Sequence, residues 1–197
     1  MFLKKVCNQL FLLFLSSIFI LSCADNSASL DKMSLNKNVP NLEYSVSFTD
    51  QMGNKNFSLR PTKVASFSPE ITEIIFELGH GNKLVAVDSN SNFPPATSSL
   101  PKLGFMNINT ESIVQYEPDL IILTAGFEDI AKKLESLDYQ VAFIDAPKNL
   151  NGLWDNINIL GKIFESEDTA NQLADSLQQK FDNVTKAVSE IKEEDKQ

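Results

Sequence analysis

The sequence predicts an α/β fold: a largely parallel sheet with helices on both faces, preceded by a β-hairpin and followed by one long helix. Three observations lead there. From Lys63 to Phe164, short apolar runs alternate with stretches of helical period, the pattern of strands joined by crossover helices. Asp119 to Thr124 (DLIILT) is a continuous apolar run, as a strand buried on both faces requires. Ala170, Leu173, Leu177, Phe181, Val184, Val188 and Ile191 then step by three or four, without a break, along a helix that from Glu167 to Glu194 spans about 42 Å at 1.5 Å per residue.

The chain begins with an address. Lys4 and Lys5 form a basic start, and an apolar stretch follows, densest over Leu10 to Leu15 and Ile18 to Leu21, as in a signal peptide. A spanning helix needs about 20 apolar residues, whereas Asn8, Gln9, Ser16 and Ser17 interrupt this one. Ile20-Leu21-Ser22-Cys23 resembles the bacterial lipobox, in which a small residue precedes the cysteine that is lipidated. The expectation is removal of residues 1–22 and a lipid on Cys23, which would anchor the protein to the bacterial cell membrane, in a periplasm or on the outer face, without spanning it. The alternative is an uncleaved anchor or a secreted form. Residues 23–41 are polar, lack an apolar period, and read as a flexible tether.

Residues 42–165 read as one lobe. Tyr44, Val46 and Phe48 alternate with polar residues, Gln51-Met52-Gly53-Asn54 is a turn, and Phe57 and Leu59 resume the alternation, which together predict a hairpin. Val64 to Phe67 is a strand. Ser68-Pro69-Glu70 then starts a helix with a serine cap, proline at the first helical position and an acid near the positive end. Ile71, Ile74, Ile75 and Leu78 form its apolar stripe, and Gly79 closes it. Strands are expected over 84–87, 119–124 and 140–144. Helices are expected over 110–116, capped by Asn109, over 127–137 and over 150–164. Residues 166–197 form the long helix, with Ser166 as its cap. In parallel sheets of this kind ligands bind beyond the carboxyl ends of the strands. The loops to watch therefore follow Phe67, Val87, Leu103 and Leu123.

Composition excludes several functions. The net charge is −9, and no basic face is visible for nucleic acid. Both cysteines, Cys7 and Cys23, lie ahead of the lobe, which leaves it no disulfide or cysteine metal site. The single histidine, His80, cannot assemble an ordinary zinc site or a Ser-His-Asp set. At a helix end it reads as a surface cation. No phosphate-cradling glycine loop is present. The chain is expected to be a non-enzyme with no cofactor.

The segments Lys63-Val64-Ala65-Ser66-Phe67-Ser68-Pro69, Thr72-Glu73, Leu78-Gly79, Leu84-Val85-Ala86-Val87, Phe93-Pro94-Pro95, Leu100-Pro101-Lys102-Leu103-Gly104, Asn109-Thr110-Glu111 and Glu117-Pro118-Asp119-Leu120-Ile121-Ile122, in this order, resemble the periplasmic binding proteins of ABC importers for vitamin B12, ferric siderophores and haem. The resemblance covers Tyr44 to about Lys192. It implies two Rossmann-like lobes joined by a long helix, with the ligand between them. The terminal helix resembles that connector. A second lobe should follow, and since the sequence stops at Gln197 the chain reads as a fragment or a truncated reading frame.

The resemblance also implies site residues. Ser68, Pro69, Asn90, Phe93, Phe105, Met106, Thr124 and Phe127 lie in loops near the strand ends. In the cobalamin branch, aromatic side chains from such loops pack on the corrin. Phe105 falls where that branch places a tryptophan, Asn90 where it places a tyrosine, and Thr124 where it places another tryptophan. Phe93 and Phe105 could equally pack the lobe, and Asn90 sits in the turn-rich Asp88-Ser89-Asn90-Ser91-Asn92. Glu111 matches a glutamate that meets permease arginines, though a first-turn carboxylate also supports its helix by about 0.3–1 kcal/mol. Glu70 and Glu73 read as a solvated face.

The expected function is thus a lipid-anchored, extracytoplasmic receptor that delivers a corrinoid, or else a ferric siderophore or haem, to ABC permease subunits. The alternative is a one-lobe envelope lipoprotein that docks on a protein without binding solute. The DNA after codon 197 would separate the two.

Overall fold

The computed structural model describes residues 44–104, 106 and 108–194. The expected leader, the expected lipidation site Cys23, the expected tether and Phe105 lie outside the described residues.

β1 (Val46–Asp50) and β2 (Gly53–Phe57) pair antiparallel, with Asp50 opposite Gly53 and Val46 opposite Phe57. Gly53 leaves the turn at φ +119, a conformation glycine adopts without the clash a Cβ would cause. Phe48 and Phe57 meet edge to face with centroids 5.0 Å apart. The ladder stops at Phe57, and Leu59 is exposed rather than continuing the buried alternation. The cause is local: the side-chain oxygen of Gln140 accepts the N–H groups of Ser58 and Leu59, both at 3.0 Å, and draws the chain out of the ladder.

Five parallel strands form the sheet: β3 (Val64–Ser66), β4 (Leu84–Asp88), β5 (Lys102–Leu103), β6 (Leu120–Leu123) and β7 (Gln140–Phe143), in the order β5-β4-β3-β6-β7. β6 lies between two neighbours and under helices on both sides, so its four residues are fully buried. β7 is an edge strand, and the hairpin covers it. The Asp50 carboxylate accepts the Phe143 N–H at 2.8 Å, occupying an edge donor that would otherwise be open to another chain.

The helices are α1 (Pro69–Glu77), α2 (Thr110–Val114), α3 (Glu128–Glu135), α4 (Leu150–Ile163) and α5 (Glu167–Glu194). Alternation along the strands divides the core. Val64, Leu120, Ile122 and Ala142 face α1, α4, the start of α5 and the hairpin aromatics. Ala65, Ala86, Ile121, Leu123, Val141 and Phe143 face α2 and α3. This is the expected α/β arrangement with helices on both faces.

The helix ends differ in detail from expectation. Ser68 precedes α1 in extended conformation, but its side chain makes no cap bond and is buried. Proline at N1 and the Ser68 carbonyl, which accepts the Thr72 N–H at 3.0 Å, begin the helix instead. At the other end Gly79 (φ +83) and His80 donate to the carbonyls of Phe76 and Ile75, each at 2.9 Å, a Schellman closure. Asn109 caps α2 with Ser112 as its reciprocal partner. The hydroxyl of Ser166 finds no partner among the described residues, so it does not cap α5 by its side chain. α5 packs closely on α4 because Gly161 has no side chain: a Cβ there would lie 2.6 Å from that of Ala170. Beyond Leu177 the α5 stripe is exposed at Phe181, Val184, Val188 and Ile191. Among the described residues, no helix is long and apolar enough to cross a membrane.

Candidate ligand-binding face

The sheet order reverses between β3 and β6. The connection after β3 runs through α1 on one face, and the connection after β6 through α3 on the other, so the chain diverges at the carboxyl ends of these two strands, the switch point at which sheets of this kind hold ligands. Ser68 and Pro69 follow β3, and Thr124 follows β6. The loops after β4 and β5, on the same side of the sheet, carry Asn90, Phe93 and Met106.

These residues do not contribute alike. Phe93 is 56% exposed and Met106 91% exposed, so two large apolar side chains face solvent from the strand-end loops. Lobe packing does not account for Phe93. Pro69 and Asn90 are exposed and Thr124 partly so. The Asn90 N–H donates to Asp88 Oδ1 at 2.8 Å, and the Asn90 carbonyl accepts from Asn92 at 2.8 Å, so its backbone builds the turn. Ser68 and Phe127, each 4% exposed, present almost no surface to a ligand. Phe127 instead belongs to the core against α2 and α3. Its amide donates to the Thr124 carbonyl at 3.2 Å, just ahead of α3.

A polar cluster that the sequence did not single out lies behind this face. The hydroxyls of Ser66 and Thr72 are 3.0 Å apart, and those of Thr72 and Ser91 are 3.1 Å apart. Ser91 also donates to the Asp88 carboxylate, and Lys102 Nζ donates to the Ser91 carbonyl. Ser66, Thr72, Ser91 and Asp88 are all 2% exposed or less. The available signal was faint: Thr72 is a polar residue beside the apolar stripe of α1, and Asp88 a charge directly after an apolar strand.

Glu111 lies in the first turn of α2, exposed, with Lys133 Nζ 3.3 Å from its Oε1. Its own backbone N–H, and then Lys133, hold its carboxyl below the usual range. Glu70 departs from the solvated reading. It accepts from Asn156 Nδ2 at 3.2 Å, and burial pushes its pKa up despite that bond, with Asp145 and Glu73 adding to the rise. His80 is not a surface cation either. It stacks on Phe164 at 4.8 Å, and burial followed by the nearby Lys83 lowers its pKa, which favours the neutral ring. Among the described residues, no three His, Cys, Asp or Glu side chains cluster so as to hold a metal.

A cleft of about 770 Å³ lies elsewhere, between the hairpin and α4, lined by Asp50, Gln51, Asp145, Lys148, Asn156 and Lys162 among others. None of the candidate ligand residues borders it. Its wall is largely polar, whereas the exposed apolar side chains stand at the strand-end loops, and an apolar wall with a few polar groups is the usual small-ligand arrangement.

Residues 64–196 match the family described as periplasmic binding protein. The chain is 27% identical over 154 residues to an uncharacterized ABC transporter substrate-binding lipoprotein of Bacillus subtilis, covering 75% of this chain and 49% of that protein. It is 39% identical over 105 residues to a vitamin B12-binding protein of Vibrio vulnificus, covering 51% and 37%. Similar solved structures include a periplasmic heme-binding protein of Pseudomonas aeruginosa, at a TM-score of 0.62 and 26% identity over 66% of this chain and 47% of that one. They also include the periplasmic vitamin B12-binding protein of Vibrio cholerae, at 0.58 and 27% over 66% and 52%. The chain spans about half, or less, of the length of the curated relatives it matches.

Proposed function

The chain belongs to the periplasmic binding protein family, and on that premise we propose that it is the N-terminal lobe, residues 42–165, of an ABC-importer receptor for a metal-chelate nutrient, with residues 166–197 as the interlobe helix. A corrinoid is the favoured ligand, ahead of a ferric siderophore or haem. The observation that carries this is the pair of exposed apolar side chains, Phe93 and Met106, at strand-end loops beside the switch point of a parallel sheet. Asn90, Thr124 and Pro69 complete the wall, Ser68 and Phe127 support it from behind, and Phe105, outside the described residues, is a ligand candidate on sequence alone. Sequence similarity to vitamin B12-binding proteins favours the corrinoid. Glu111, exposed at the N-terminus of α2, is the permease contact. Cys23 carries the lipid that keeps the receptor at the membrane, with residues 1–22 removed and residues 23–41 as its tether. The protein binds and delivers; it catalyses nothing.

One lobe supplies one wall. A ligand of this size gains affinity when about 70–90% of its surface is covered, so the 197-residue chain alone should bind far more weakly than a form joined to a second α/β lobe. Calorimetry with cyanocobalamin, ferrichrome and haemin as separate titrants tests this. The two-lobe form should bind one of them below micromolar and lose that binding when Phe93 becomes Ala. Binding of none of the three by that form would refute the ligand class, and submicromolar binding by the single lobe would refute the two-wall geometry.

A further inference from the structure

The buried hydroxyl chain behind the ligand face joins three separate segments. Ser66 ends β3, Thr72 lies in α1, and Ser91 lies in the loop after β4, where it meets Asp88 and the lysine of β5. A packed interior has no need of such groups, because apolar side chains of similar volume would fill it without desolvating hydroxyls and a carboxylate. What a hydrogen-bonded chain adds is direction. Each link fixes a distance and an angle, and a satisfied buried network holds one arrangement against others. Here the arrangement held is that of residues 89–93. Asp88 Oδ1 takes the Asn90 N–H, while its other oxygen takes Ser91, so a single carboxylate pins two successive loop residues. Lys102 Nζ pins the Ser91 carbonyl from the next strand. The exposed ring of Phe93 begins two residues later.

We infer that Thr72, Ser91 and Asp88 are positioning residues for the ligand face: they touch no ligand, and they fix the loop that presents Asn90 and Phe93. The inference rests on the proposed function for the meaning of that face, but its physical core can be measured without a ligand. Thr72 is the informative position, since it lies in α1, outside the loop. Thr72→Val keeps the shape and removes the hydroxyl, whereas Thr72→Ser keeps the hydroxyl.

Two measurements decide it, exchange on the full chain and titration on the form joined to a second α/β lobe. In amide hydrogen exchange followed by NMR, Thr72→Val and Ser91→Ala should speed exchange at Asn90 and Asn92 at least about tenfold, a 1.4 kcal/mol loosening, with Ile121 and Ile122 unchanged. Thr72→Ser should restore the wild-type rates. In titrations of the two-lobe form with cyanocobalamin, ferrichrome and haemin, Thr72→Val should weaken binding about tenfold in the wild-type background and have little further effect once Phe93 is Ala. Unchanged exchange at Asn90 and Asn92, an equal rise across the whole lobe, or full additivity of the two substitutions would overturn the inference. If none of the three probes binds the wild-type two-lobe form, the proposed ligand class fails, and the exchange pattern with its serine rescue still upholds or rejects the positioning role.

Discussion

Phe127→Ala and Phe93→Ala should behave as opposites, although both phenylalanines lie in loops at the same end of the sheet. Phe127 is 4% exposed in the core beneath α2 and α3. A phenylalanine buries about 150–250 Å², which at about 25 cal/mol per Å² is roughly 4–6 kcal/mol of transfer free energy. Alanine keeps a part of this, and the cavity left behind adds a cost, so the expected loss is about 3–5 kcal/mol. For a domain of this size each kcal/mol moves Tm by about 2–4 °C, which gives a fall of roughly 6–20 °C. Phe93 is 56% exposed, and its removal should change stability by no more than about 0.5 kcal/mol. Urea unfolding and thermal melts followed by circular dichroism measure both. A Phe127→Ala protein within about 1 kcal/mol of wild type, or a Phe93→Ala protein destabilised by more than about 2, would refute the division between core and ligand face.

Three further outcomes are expected. The Glu111 carboxyl should titrate below an ordinary glutamate in carbon-13 NMR, and Lys133→Met should raise it only part of the way, since its own backbone N–H is the larger cause. Because that pKa is depressed on folding, the stabilisation it reflects is present above the unfolded value of 4.5 and lost as pH falls through the folded one. Tyr44, whose hydroxyl donates to the Ile163 carbonyl at 2.8 Å, is pushed up to about 12, chiefly by burial and then by Glu165. Its neutral form is favoured by the fold, so this contribution is intact below pH 10 and disappears as pH rises toward 12; Tyr44→Phe should flatten the loss, and a late phenolate step in the ultraviolet should vanish with it. In α5 the amides of Val188 and Ile191, whose side chains are 45% and 59% exposed, should exchange far faster than those of Ile121 and Ile122, which are fully buried; equal protection would show that something covers the stripe.

The sequence by itself determined the elements and their faces, because period and punctuation are local properties. The run Leu120-Ile121-Ile122-Leu123 has the length and continuity expected of a strand covered on both sides, and all four residues are buried in β6. Ile71, Ile74, Ile75 and Leu78 mark the buried side of α1, Gly79 its end, and the unbroken stripe from Ala170 to Ile191 the long helix α5. The loops at the strand ends followed from strand-helix alternation alone. Tertiary structure decided which loop residues face outward. Phe93 and Phe127 are the same residue type in similar settings, and no local pattern distinguishes them; one is exposed and the other closes the core because α3 begins over it. It also decided the state of polar groups whose partners are distant in sequence. Asp50 carries no signal beyond standing next to the hairpin turn, yet its carboxylate meets Phe143 across 93 positions. Glu70 reads as solvated, yet Asn156 reaches it from α4. Ser66, Thr72, Ser91 and Asp88 look unremarkable apart. They form one buried chain only when β3, α1 and β4 are packed together, because a hydrogen bond depends on a separation of about 3 Å that sequence spacing does not fix.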